Sequence, residues 1–357
     1  MAQIRSKPFG VTKEGANVTE YILSNPGGLT VSVLDYGCVI KRIIVPAKNG
    51  PVDVVVGHDT MADYEADFNS SGSTCCGAFV GRYANRIENA VFTVGGKTYQ
   101  LEANNGPNHL HGCFSRKLYR VKSFGDTLLM EAESPDGEDG FPGNLKIAVR
   151  YTLTEDNAFR MDYRVSSDAD TIVNLTNHSY FNLDGGGDVL NQKLRIYASR
   201  YLEGNNQCCP TGAILPVADT PMDFTAGKLI GREIDTGFAQ TTMVGGGYDH
   251  CYVIDRARGS SQSICAWATS DKTGISMKLY TTQPGIQLYT ANFLQDCPSP
   301  GKGGKPLQKY GGFALETQHY PCSPSHPEFP STVLRAGKVF RATTTLRFFT
   351  GKQCGKL

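Results

Sequence analysis

Apolar and polar residues alternate along most of this chain, and turn-forming residues break the alternation at short intervals. Leu145-Lys-Ile-Ala-Val-Arg-Tyr-Thr-Leu-Thr154 alternates strictly, turns at Asp156-Asn157 and resumes as Phe159-Arg-Met-Asp-Tyr-Arg-Val165. Val91–Val94 and Lys97–Leu101 flank Gly95-Gly96, a two-residue hairpin signal. Leu118–Phe124 and Thr127–Glu133 flank Gly125-Asp126, and Ile264–Thr269 and Ile275–Thr281 straddle Asp271–Gly274. A period of two means that one face of each strand meets a core while the other meets water or a groove, the antiparallel habit. No long stretch carries a 3.6-residue period, so helices are predicted to be few and short, with Met61–Phe68 and Pro221–Leu229 as candidates. The pattern predicts an all-β chain, a large antiparallel β-sandwich. Gly185–Gly187, Gly245–Gly247 and Pro298–Lys305 read as surface loops. Nothing in the composition marks a linker, so residues 1–357 are expected to form one domain.

Composition narrows the function. With 35 Lys+Arg against 34 Asp+Glu, the chain lacks the cationic excess of a duplex-DNA or polybasic membrane binder. No nucleic-acid or membrane partner is therefore expected. The 40 Gly and 18 Pro suit a chain punctuated by turns rather than one of long helices. The 11 Cys are odd in number and irregular in spacing, include the neighbours Cys75-Cys76 and Cys208-Cys209, and form no C-x-x-C pair. That usage, and a start without a signal-peptide core, point to a cytoplasmic protein with reduced thiols. The terminal Gly355-Lys-Leu357 approaches a peroxisomal address without matching it, which leaves a peroxisome-like organelle as a minor alternative.

Three stretches carry candidate chemistry. In Asn177-His-Ser-Tyr-Phe-Asn-Leu183, His178 either donates to a substrate oxygen or satisfies loop backbone. In Gly312-Phe-Ala-Leu-Glu-Thr-Gln-His319, Glu316 lies among apolar neighbours. Desolvating its charge is costly, so either a cation neutralises it or its pKa rises into the range of a general base. In Asn104-Asn-Gly-Pro-Asn-His-Leu-His-Gly112, His109 and His111 would share a face on a strand. That arrangement is compatible with a metal, but no third ligand lies close in the sequence, and hydrogen bonding to a polyol is an equal use of neutral imidazole. No metal or cofactor is expected. Asn85-Arg86, Tyr248-Asp-His250, and Gln283 with Gln287 add donors and acceptors suited to hydroxyl groups or to turns.

In this order, Gly81–Ile87, Asn105–Gly112, Asn174–Leu183, Tyr248–His250, Gln283–Leu294 and Phe313–Gln318 resemble the aldose 1-epimerase (galactose mutarotase) family over most of the chain. Asn-His-Ser-Tyr-Phe-Asn-Leu and Leu-Glu-Thr-Gln are the most specific pieces. The resemblance implies a twisted supersandwich with an open groove, and cofactor-free interconversion of the α and β anomers of free hexoses such as galactose and glucose. It implies Glu316 as general base and His178 as general acid. Asn85, Arg86, His111, Tyr180, Asp249 and Gln287 are implied to position a monosaccharide. Asp249 is the expected acceptor that keeps His178 protonated. Cys113, Phe114–Leu118 and Cys75-Cys76 depart from the family's usual residues. The competing readings are a hexose-6-phosphate 1-epimerase, which would need cations beside these motifs, and a non-catalytic sugar-binding protein. The expected assembly is a monomer or weak homodimer.

Overall fold

The computed structural model describes residues 2–256 and 259–351. The terminal Gly-Lys-Leu therefore lies outside the described residues. Every pairing between its named strands is antiparallel. A nine-stranded sheet starts with Arg120–Phe124, Thr127–Ser134, Leu145–Leu153 and Ala158–Ser167 as neighbours. It continues through the long strand Val339–Thr350 to Ile275–Thr281, Ser263–Thr269, Lys193–Ile196 and Lys228–Leu229. The strands Gln3–Val11, Asn17–Ser24, Thr30–Leu34, Ile40–Ala47 and Gly50–Asp53 form a five-stranded meander.

The third large sheet, of six strands, positions the chemistry. Its order is Tyr180–Phe181, Phe313–Gln318, Gly285–Tyr289, Asp249–Val253, Arg200–Gly204 and Pro210–Pro216. The period of two gives each strand two unlike faces. On one face, Phe313, Leu315, Ile286, Leu288 and Tyr252 join Val149, Leu279 and Leu346 of the nine-stranded sheet and Val31 and Ile43 of the meander in one buried cluster. The other face carries the polar residues taken up below. Packing of sheets through a shared apolar layer is the sandwich that the alternation predicts.

Local details follow the turn chemistry. Gly95 and Gly96, both at positive φ, close the hairpin between Val91–Val94 and Lys97–Gln100. Met61–Phe68 is a helix, capped by the Thr60 side chain accepting from the Asp63 N–H at 3.1 Å. Pro221–Leu229 is not a helix. Its residues form turns held by Tyr248 and Tyr252, whose hydroxyls donate to the Pro221 and Met222 carbonyls, and Lys228–Leu229 pairs as a strand. Among the described residues the other α-helix is the short Ala239–Met243.

Candidate active site

Strand register brings the distant motifs together. Gln287 stands directly opposite both Glu316 and Cys251, and Tyr180 stands opposite Ala314. Residues two apart share a face. Tyr180, Glu316, Gln287, Tyr289 and Asp249 therefore all belong to the face turned away from the apolar cluster. His178 reaches the same place from the connection between Thr176–Asn177 and Tyr180–Phe181. Its backbone is pinned on both sides, N–H to the Ala78 carbonyl and C=O from the Gly77 N–H, at 2.9 Å each.

His178 Nε2 lies 3.5 Å from Glu316 Oε1, and ring nitrogens of His111 and His178 and a Glu316 oxygen all fall within 4.8 Å of one another. Burial pushes the His178 imidazole down to about 4. Burial, reinforced by the Asp249 charge and opposed by Arg86, pushes the Glu316 carboxyl well above its ordinary range. Burial thus favours the uncharged form of both groups, the carboxylic acid of Glu316 and the neutral imidazole of His178. His178 Nδ1, Glu316 Oε2 and Gln287 Oε1 are buried without a protein partner. Orphaned polar atoms of this kind are costly in a core and natural in a site that awaits a polar ligand.

The other residues form the surround. Asn85 has φ +63°, and its backbone N–H donates to His111 Nδ1 at 3.2 Å. That bond leaves the lone pair on Nδ1, so the neutral His111 ring carries its proton on Nε2 and is a donor. Burial, and after it the nearby His178 and Arg86, hold the His111 pKa well below the ordinary imidazole range. Asn85 Oδ1 accepts from the Arg86 N–H at 2.8 Å. Arg86 donates from Nε to Asn105 Oδ1 at 2.9 Å and lies 4.0 Å from Asp249. Asp249 in turn accepts from Gln287 Nε2 at 2.6 Å. The Tyr180 ring packs against His178 with centroids 4.9 Å apart, while its hydroxyl donates to the Thr74 carbonyl. A cavity of about 880 Å³ opens beside His111, lined also by Asn104, Asn105, Tyr289 and the exposed Phe293. The Arg42, Lys302 and Lys305 cations line a different cavity that contains none of these residues.

Two sequence expectations are corrected. Asp249 is not the partner of His178; it pairs with Arg86 and Gln287, and burial drives His178 towards the neutral form. His109 and His111 do not share a face. The strand ends at Leu110, His111 turns to φ +63°, and His109 Nδ1 donates to the Glu102 carbonyl beside the Phe141 ring. Sequence reasoning missed Asn105 and Tyr289 as site neighbours. The two-residue step from Gln287 along its strand was a signal for Tyr289; Asn105 had none beyond its place in the Asn-rich stretch.

Comparisons with known proteins bear on the family and the fold. The family model described as "Aldose 1-epimerase" matches residues 19–347. Galactose mutarotase of Rattus norvegicus is 35% identical, with 98% of this chain and 99% of the relative covered. Aldose 1-epimerase of Escherichia coli (strain K12) is 36% identical, covering 91% of this chain and 94% of the relative. Among solved structures, a GalM/aldose epimerase homologue from C. elegans superimposes with a TM-score of 0.84 at 29% identity, over 97% and 99% of the two chains. The chain is an isomerase that belongs to the aldose 1-epimerase family.

Proposed function

We propose that this enzyme interconverts the α and β anomers of free hexoses such as galactose and glucose, with Glu316 and His178 as its acid–base pair. The observation that carries the reading is the 3.5 Å approach of His178 Nε2 to Glu316 Oε1 among orphaned polar atoms. Mutarotation opens a hemiacetal: the C1 hydroxyl loses a proton while the ring oxygen gains one. Both oxygens hang on the anomeric carbon, so two side chains in mutual contact can serve them. Glu316 takes the C1 hydroxyl proton and His178 delivers one to the ring oxygen. Rotation about C1–C2 turns the free aldehyde over, and closure reverses both transfers. Carboxylate with imidazolium has the same proton count as carboxylic acid with neutral imidazole. A sugar that donates a hydroxyl to Glu316 and accepts from His178 favours the ionic form. His111 donates from Nε2, and Arg86, Asp249, Gln287 and Asn85 hold the remaining hydroxyls. Tyr180 contributes its ring face. Each positioned acid or base is worth about 10²–10⁴-fold, enough for the pair to dominate the rate.

The odd, irregular cysteine set supports a cytoplasmic setting, and the full-length family match supports residues 1–357 acting as one catalytic unit. No helix among the described residues is long and apolar enough to cross a membrane. Polarimetry of freshly dissolved α-D-galactose tests the function: the enzyme is expected to bring the rotation to equilibrium far faster than buffer does. An unchanged approach to equilibrium would overturn the reading in favour of a non-catalytic sugar binder.

A further inference from the structure

Mutarotation makes no use of a second convergence of donors. His58 lies in the connection that follows strand Gly50–Asp53, Asp67 near the end of helix Met61–Phe68, and Cys297 just after the single turn Leu294–Asp296. One nitrogen, one oxygen and one sulfur from these residues lie within 4.8 Å of one another. His58 and Asp67 are wholly buried, and Cys297 is half-buried.

Hydrogen bonds fix what each atom offers. His58 Nδ1 is 2.7 Å from the Pro300 carbonyl oxygen, which can only accept, so Nδ1 carries the ring's N–H. In the neutral ring Nε2 then presents a lone pair, and it faces Asp67 Oδ2 at 3.1 Å. Two acceptors at that separation require a positive centre: either an added proton or a metal ion. A third donor, Cys297 Sγ, stands beside the pair, and imidazole, carboxylate and thiolate together suit a borderline-soft divalent ion. Bonds of about 2.0 Å to tetrahedral zinc put adjacent N and O ligands about 3.3 Å apart. The partners behind the donors also match a metal site. Pro300 orients the imidazole, and Thr74 donates to the Asp67 carboxylate from its N–H at 2.7 Å and from its hydroxyl at 2.5 Å.

We propose that His58 Nε2, Asp67 Oδ2 and Cys297 Sγ bind one zinc-class divalent ion, which clamps the segment that carries His58 and Asp67 to the distant Cys297. Binding to the protonated cluster releases two protons, one from the imidazolium and one from the Cys297 thiol, as the ion takes their places. The role is structural, and no step of mutarotation passes through it.

The test uses full-length enzyme stripped with a chelator and titrated with Co²⁺, then Zn²⁺. One equivalent of Co²⁺ should produce an intense thiolate-to-metal charge-transfer band in the near ultraviolet, and Zn²⁺ should raise the Tm by several degrees. Cys297→Ser should lose both effects while keeping its mutarotation rate, which certifies its fold. No band, or a band of equal strength in Cys297→Ser, would overturn the proposal and leave a proton-only ion pair. A Tm shift abolished by Glu316→Gln but kept in Cys297→Ser would overturn it too, by moving the ion to His111, His178 and Glu316.

Discussion

Glu316 illustrates how far a single residue's meaning can be read before folding is known. Its apolar flanks, Leu315 before it and Ala314 two residues earlier, already forecast a costly charge and a raised pKa. The sequence offered no view of which groups would face it, because Asp249, Arg86 and His178 arrive from other strands. The misplaced partnership between Asp249 and His178 arose there: proximity across strands depends on register, which no local motif encodes. The pair's single proton makes a prediction at this scale. Below about pH 4 His178 gains a proton while Glu316 keeps its own, and the pair can no longer accept one. As pH rises through the elevated Glu316 pKa the pair loses its only proton and can no longer donate. A profile of kcat/KM against pH should therefore show a plateau with an acid limb near pH 4 and an alkaline limb well above the ordinary carboxylate range. A profile that instead rises through a limb near the usual imidazole value would contradict this protonation scheme.

At the scale of elements, the strands were legible because alternation and Gly turns are local. Ile275–Thr281 and Met61–Phe68 coincide with their predicted limits. Pro221–Leu229 misled because its turns are held from outside, by Tyr248 and Tyr252. The segment from Gly81 to Ile87 depends on two contacts that no pattern announces. Arg82 is buried and donates to the Ser134 hydroxyl and to the Pro142, Ser134 and Pro135 carbonyls at 2.8–3.0 Å. Arg82→Leu should lower stability by about 3–5 kcal/mol, since four acceptors lose a charged donor in the interior. Urea titration measures this, and a loss under 1 kcal/mol would refute the anchoring role. Gly112 has φ +71°, and a Cβ there would stand 2.5 Å from the Gly81 carbonyl oxygen. Gly112→Ala should therefore shift the neighbouring His111 and reduce activity by at least about tenfold, in line with the sensitivity of catalysis to small misplacements. An Ala variant of full activity would show that the contact is not needed.

For the molecule as a whole, three sheets share one apolar cluster, and that cluster sets the outward faces on which Glu316, Gln287 and Asp249 stand. The antiparallel class was legible from periodicity, whereas the order of strands in the six-stranded sheet was not, since its neighbours lie as far apart in sequence as Phe181 and Phe313. The charge map bears on substrate choice. Arg86 is shared between Asn105 and Asp249, and Arg116 at the groove donates to the Phe68 carbonyl. The Lys302 ammonium is committed to Asp53 and the Val55 carbonyl in the separate cavity. Among the described residues a phosphoryl group would find no free cation cluster at this groove, so kcat/KM for galactose 6-phosphate should fall at least about tenfold below that for galactose. Equal or better turnover of the phosphorylated sugar would revive the hexose-6-phosphate reading.

The central claim is that Glu316 and His178 move one proton between two oxygens of the same carbon, and that neither acts without the other. Initial rates of α-D-galactose mutarotation for Glu316→Gln, His178→Asn and the double variant, with sugar binding measured in parallel, test it most directly. Each single change should cut kcat by orders of magnitude with binding retained, and the double should be scarcely slower than either single. A single variant of near wild-type rate, or losses that simply multiply in the double, would contradict it.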